Sequence, residues 1–282
     1  MAMVINTNVA SLNSQRMLDR TNMSLQTSME RLSSGLRVNS AKDDAAGLAI
    51  ADRMTSQIRG MTVAMRNAND GISMAQTAES AMGAITETLQ RMRDLGVQAA
   101  NRGAVSDTDR AKLQTEFKQL GDEITRIVGN TEFNGKKILN GGLSNAIFQV
   151  GAGTSANNQI SITVENLSGA SGIGTIVNAG VSIGSAATSN NVLSAIDTID
   201  AAIAKIDDFR SKLGAVQNRF TTTIGNLQSS IENQSAARSR IMDTDFAVET
   251  SNLSRSQILQ QAGTAMLAQA NQSSQSVLSL LR

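Results

Sequence analysis

Three short stretches hold the residues whose types and spacing could do chemistry. Asp43 and Asp44 are neighbouring carboxylates of the kind general acid–base catalysis uses in pairs, and Gly129 to Lys137, GNTEFNGKK, superficially resembles a phosphate-cradling loop. Asp243 and Asp245 alternate like the start of a calcium loop. Each falls short of its chemistry. Neighbours on a helix diverge by about 100°, so Asp43 and Asp44 do not converge on one substrate and read instead as a capping and solvated charge cluster. In GNTEFNGKK five residues separate the glycines, no Ser or Thr follows Lys136, and an amphipathic helix precedes the segment where a phosphate loop requires a strand; it is a turn. After Asp245 the glycine and distant glutamate of a calcium loop are out of register.

The composition narrows chemistry further. His, Cys and Tyr are all absent, which leaves only carboxylates, lysines and hydroxyls for acid, base and nucleophile roles, so we expect no enzyme, no cofactor and no metal. Without cysteine there are no disulfides, and the redox compartment stays open. A net charge of +1, from 25 basic and 24 acidic side chains, gives no broad field for a polyanion. Arg31, Arg37, Arg53 and Arg59 are interleaved with polar residues and lack aromatic stacking platforms, so no nucleic-acid partner is expected. The longest apolar runs, such as Gly47 to Ala51, fall far short of the roughly 20 residues of a membrane span, and no membrane insertion is expected. The start, MAMVINTNVASL, lacks a basic flank followed by an apolar core, so a cleaved secretory signal is not expected either.

What remains is association, and the periodicity says through which elements. Leu18, Leu25 and Leu32 recur every seventh residue, as do Ile199, Ile206, Leu213, Phe220 and Leu227. A helix returns every seventh residue to nearly one face, so these are seams against which other helices lie. Trp is missing, Phe is down to 6 and Met rises to 13, which suits many slender helical contacts better than one thick core.

The first helix is read from about Ile5 to Leu36, with Leu18, Leu25, Met29, Leu32 and Leu36 on its stripe, and a linker follows between Ser33 and Asp44. A second runs from about Ala45 to Ala100, with Met61, Ala68, Ala75, Met82 and Leu89 in line, a rod of roughly 80 Å at about 1.5 Å per residue. Ser106 with Asp107 and Asp109 starts a third, which the glycine of Gly129-Asn130 is expected to stop in a left-handed turn. Ile147, Phe148 and Val150, then Ile160, Ile162 and Val164, read as short strands of one or two β-hairpins. A fourth helix spans about Asn191 to Gln234, with a second seam of Ile196, Ile203, Ile224 and Ile231 interrupted by Arg210 and Gln217. The last runs from about Asp243 to Leu281, with Leu259, Ala262, Met266, Val277 and Leu280 along a stripe too weak to form a core by itself. The fold class is therefore mainly α: long antiparallel helical rods with coiled-coil-like packing of the two ends, plus a small β-hairpin region.

The ends carry longer motifs. MAMVINTNVASLNSQRML and ERLSSGLRVNSAKDDAAGLAIADRM closely resemble the start of bacterial flagellins, and SAARSRIMDTDFAVETSNLSRSQILQQAGTAMLAQANQSSQSVLSLLR resembles the flagellin C-terminus. The resemblance covers about residues 1 to 140 and 191 to 282. It implies a D0 layer of residues 1–40 and 243–282, packed through Leu18, Leu25, Met29, Leu32, Leu36, Leu259, Met266, Val277 and Leu280. A D1 rod of 41–190 and 191–242 follows, packed through Met61, Met82, Leu89, Ile199, Ile206, Leu213, Phe220 and Leu227, with hairpins near 140–185 and no large outer domain.

The same resemblance implies a secreted subunit, exported unfolded through the flagellar type III apparatus with an export chaperone on its C-terminal segment. It would polymerise extracellularly into the filament that drives swimming, meeting filament cap and hook-associated proteins. Flagellins of the activating type engage a Toll-like receptor through a motif matched by LQRMRDLGVQAAN, which brings Arg91, Leu95 and Glu116 forward as receptor contacts; packing between subunits is an equal reading of each. Alternatives are a hook-filament junction protein, whose ends resemble flagellin ends, and an intracellular helical scaffold.

Overall fold

The computed structural model describes residues 7–143, 145–169, 173–177 and 181–279. Ile5 and Leu280 lie outside them, and Val277 lies in a helix whose last side chains, from 273, are outside the description. Among the described residues six α-helices carry the chain: α1 Val9–Ser34, α2 Ala45–Ala100, α3 Asp107–Asn130, α4 Ile173–Val177, α5 Ser189–Met242 and α6 Phe246–Ser279. Two antiparallel two-stranded sheets accompany them, β1 Glu132–Phe133 with β2 Lys136–Lys137 and β3 Ala146–Gln149 with β4 Gln159–Ile162. The class is the one the periodicity predicts.

The helix ends follow local chemistry. Asn8 starts α1 by accepting the Ser11 N–H on its side chain, and Gly35 stops it at φ 72°, its N–H reaching the Arg31 carbonyl. Asp44 caps α2 with Oδ1 on the Gly47 N–H at 2.8 Å. Ser106 caps α3 as expected, accepting from Asp109 N, and Asp107 and Asp109 sit in its first turn where they favour the helix dipole. The other end of α3 departs from expectation. Gly129 and Asn130 remain helical, and Thr131 closes the helix with its N–H and its hydroxyl both on the Ile127 carbonyl. The left-handed pair lies five residues on: Asn134 at φ 50° and Gly135 at φ 74° make the tight turn between β1 and β2. An Asn-Gly hairpin outcompetes a glycine stop because it needs both positive-φ positions in succession.

The described residues form two compact units, one drawn from Met1–Gln57 and Glu232–Arg282, the other from Ile58–Ile231. Residues 41–57 and 232–242 thus group with the terminal helices. In that first unit α1 and α6 run antiparallel, since Asn8 Nδ2 donates to the Ala270 carbonyl and Asn22 Oδ1 accepts from Gln260 Nε2. The linkers at their roots are tied together: Leu36 forms a bridge with Asp243, Arg37 N–H reaches the Met242 carbonyl at 2.6 Å, and Thr244 N–H reaches the Gly35 carbonyl.

In the second unit α2 and α5 are antiparallel as well, because Glu79 meets Gln217 and Arg93 meets Asp200. Between them and α3 lies one continuous apolar core containing Met82, Leu89, Leu95, Phe117, Ile124, Ile199, Ile206 and Phe220. The β3–β4 hairpin joins it through Ile160 and Ile162, the buried half of an alternating strand, and through Phe148, whose ring meets Phe220 edge-on at 5.8 Å. A smaller cluster of Met61, Ala64 and Leu227 extends the seam.

Candidate assembly and recognition surfaces

The terminal pair has no apolar core of its own. Among the described side chains of α1 and α6, those fully buried are all polar: Ser11, Ser28, Glu249 and Ser256. Leu18, Leu25, Leu32 and Leu36 are only half covered, and Met29, Leu259 and Met266 are exposed. Val9, Leu12, Met17, Met23, Phe246, Val248 and Ile258 add more exposed apolar surface. At about 3.6 residues per turn, Met17, Met23 and Met29 lie about 120° apart, so α1 presents apolar side chains on several sides at once. Water strongly disfavours such a surface.

Hydrogen bonds set the register of this pair. Ser28 donates its hydroxyl to Glu249 Oε1 at 2.5 Å, and Arg31 stands 3.7 Å from Glu249 Oε2. A buried carboxylate with a hydroxyl and a guanidinium beside it holds one alignment of the two helices better than a row of leucines would.

The second unit is closed where the first is open. Met61, Met82, Leu89, Ile199, Ile206, Leu213, Phe220 and Leu227 are all buried. On its surface Arg91 grips Glu116 Oε1 with both Nε and Nη2, at 2.9 and 2.7 Å, a bridge between α2 and α3 whose partners are 56% and 44% exposed. Leu95, one turn further along α2, is 1% exposed and belongs to the core with Met92 and Phe117. The structure therefore joins Arg91 to Glu116 and separates both from Leu95, which turns inward.

Of the stretches that could do chemistry, Asp43 accepts from Asn39 N–H, Ser40 N–H and the Ser40 hydroxyl, and Asp245 caps α6 through the Ala247 and Val248 N–H groups. Ser40 donation, first from its backbone and then from its hydroxyl, together with Asn39, holds the Asp43 carboxyl below its ordinary value of 3.8. No cluster of acidic groups able to hold a metal occurs among the described residues. Among those residues, too, no helix is long and apolar enough to cross a membrane.

The comparisons with known proteins agree with this geometry. Residues 5–143 match the family model of the bacterial flagellin N-terminal helical region, and 196–281 match that of the C-terminal helical region. A flagellin of Bacillus subtilis is 46% identical over 311 aligned positions, covering 99% of this chain and 100% of the relative. The chain belongs to the bacterial flagellin family. A flagellin of Halalkalibacterium halodurans is 44% identical, again over 99% of this chain and all of the relative. A flagellar hook-associated protein of Vibrio parahaemolyticus shares the fold at TM-score 0.59 and 16% identity, over 71% of this chain and 100% of that one. Flagellins are structural proteins, subunits of the flagellar filament and not enzymes. In this flagellin-family chain the informative surfaces are accordingly packing surfaces.

Two polar devices escaped the sequence reading. Glu249 sits among small polar residues on α6 with nothing nearby to mark it as buried. Arg110 is 1% exposed, and its Nη2 donates to the Gly184 and Ala187 carbonyls at 2.7 and 2.9 Å, while Gln114 Oε1 accepts the Ile183 N–H at 2.6 Å. A signal was available for Arg110: it precedes Phe117 and Ile124 at seven-residue steps and so stands on the buried line of α3.

Proposed function

We propose that this chain is exported unfolded by the flagellar type III apparatus, with a chaperone on its C-terminal segment, and polymerises outside the cell into the swimming filament through its two ends. Cap and hook-associated proteins would bound that polymer. The reading rests on one observation above all: a terminal helix pair whose buried side chains are polar and whose leucines are half covered or exposed. Such a pair buries too little on its own to offset the entropy of ordering it, and gains the missing contacts when copies of the chain stack. Unlike faces meeting head to tail then build an open helix of subunits. Residues 1–40 with 243–282 form the inner D0 layer in this reading, and 41–242 the D1 rod.

The hook-filament junction role is the weaker reading, since flagellins match this chain along its whole length at 44–46% identity. The test is deletion of Val9–Ser34, or of Leu259 onward, followed by seeded polymerisation watched by electron microscopy. Loss of growth with Ile58–Ile231 still folded is the expected result; filaments from either truncated chain would refute the assignment.

We further propose that the Arg91–Glu116 bridge is the part of this chain a Toll-like receptor touches, with Leu95 holding the helix beneath it. What supports this is the exposure of both charged partners beside a buried Leu95.

A further inference from the structure

The methionines fall into two populations. Among the described residues Met17, Met23, Met29 and Met266 are 51–68% exposed and all lie on α1 or α6, whereas Met61, Met74, Met82 and Met92 are at most 7% exposed and all lie on α2 within Ile58–Ile231. Met54, Met65 and Met242 are half-buried. With no Cys, Trp, Tyr or His anywhere in the sequence, the thioether is the side chain that a mild oxidant meets first.

We propose that Met17, Met23, Met29 and Met266 are oxidation sites at which a peroxide reversibly blocks assembly of the terminal helices; this rests on the reading that α1 and α6 mediate self-association. The sulfur lone pair attacks one oxygen of hydrogen peroxide and the O–O bond breaks. Sulfur is oxidised to the sulfoxide, and the departing hydroxide takes a proton and leaves as water, so one peroxide is consumed for each methionine.

The sulfoxide oxygen is a strong acceptor on a side chain that was apolar, and covering it with a neighbouring copy strips its water without supplying a donor. Met17 and Met266 line one groove between α1 and α6, beside Leu18, Leu259 and Ala262, so oxidation there makes a neighbouring apolar surface polar. Met23 and Met29 carry the same change to other sides of α1. The buried methionines of α2 are shielded by packing, which leaves the second unit folded while the ends are altered. Methionine sulfoxide reductases return the thioether, which makes the block reversible.

The experiment uses the full-length monomer, hydrogen peroxide, peptide mass spectrometry and growth on preformed filament seeds. Sulfoxide is expected to form at least about tenfold faster at Met17, Met23, Met29 and Met266 than at Met82 and Met92. Seeded growth of the oxidised chain is expected to fall at least about tenfold and to return after treatment with reductases for both sulfoxide epimers. A variant with Met17→Leu, Met23→Leu, Met29→Leu and Met266→Leu should grow after peroxide as well as its own untreated control does.

Equal oxidation of the buried set, undiminished growth of the oxidised chain, or equal loss of growth in the leucine variant would each overturn the proposal. Should the variant fail to assemble untreated, recovery of the oxidised parent chain by reductase decides the matter alone. Untreated parent monomer that does not extend seeds defeats the assembly reading before any peroxide is added.

Discussion

Phe220 occupies the space that a side chain at Gly71 would need: a Cβ built there would stand 2.7 Å from Phe220 Cζ. The same ring takes the edge of Phe148 from the β3–β4 hairpin, so α2, α5 and the hairpin all meet at one aromatic side chain.

Gly71→Ala should therefore destabilise the chain by about 1–3 kcal/mol through overpacking. Gly83→Ala, on the same helix with nothing within 4 Å of the added carbon, should stabilise it by roughly 0.5–1 kcal/mol by removing a glycine from a helix interior. Thermal unfolding of the two variants side by side checks the prediction. Equal shifts would disprove the role given to Phe220.

Arg91→Ala and Glu116→Ala each break an exposed bridge, so each should cost no more than about 1 kcal/mol of stability. Leu95→Ala empties a fully buried site and should cost about 2–5 kcal/mol. In a receptor reporter assay the first two should reduce signalling with unfolding temperature lowered by no more than a few degrees, while Leu95→Ala should lower both together. Full signalling from Arg91→Ala would remove the bridge from the receptor surface.

The linker between α1 and α2 should sense acid through Asp43. Its folded pKa lies below the ordinary 3.8, so the stabilisation from the Ser40 and Asn39 donors is fully present above that value and is lost as pH falls through the lower folded value. Titration of the Asp43 carboxyl by NMR should give a midpoint below 3.8. Asp43→Asn should abolish this step, and an unshifted midpoint would show that the donors do not hold the carboxylate in solution.

Removing the Arg110 guanidinium would take one donor from each of the Gly184 and Ala187 carbonyls, leaving them the Ala187 N–H and Arg102 Nη2 respectively. Arg110→Met keeps much of the side chain's bulk and should still cost about 1–3 kcal/mol. Faster amide exchange is expected at Ile183, whose N–H is held by Gln114 on the same helix, with exchange in α2 unchanged. Equal acceleration throughout would mean global destabilisation and not release of this segment.

Long elements were legible because many residues vote on each. The reading of α2 as Ala45 to Ala100 matches the observed bounds, since its apolar steps run unbroken between a polar linker and Asn101. The alternation from Gln159 to Val164 likewise gave β4 and its buried side, although the strand ends at Ile162 and Val164 is buried beyond it. Where few residues decide, the reading slipped. Gly129-Asn130 and Asn134-Gly135 both carry left-handed potential, and only the strand pairing around the second pair selects between them. The five-residue α4 is too short for periodicity to register. α5 runs on to Met242, past the point where its isoleucine seam gives out at Ile231. For the recognition candidates, spacing put Arg91 and Leu95 on one face, yet a helix face includes both a buried centre and a wet margin, and spacing alone does not say which residue takes which.

The tie between Leu36 and Asp243 has a consequence for how the two tails behave. Their roots are more than two hundred residues apart in sequence and still share backbone hydrogen bonds. In the assembly proposed above, fastening the tails at their base would let whichever tail is captured first bring the other close to hand, so that the second docks at a high local concentration with less freedom left to lose. A subunit arriving at a growing tip would then lock both ends in one concerted act, and a break in this latch would turn that act into two slower ones.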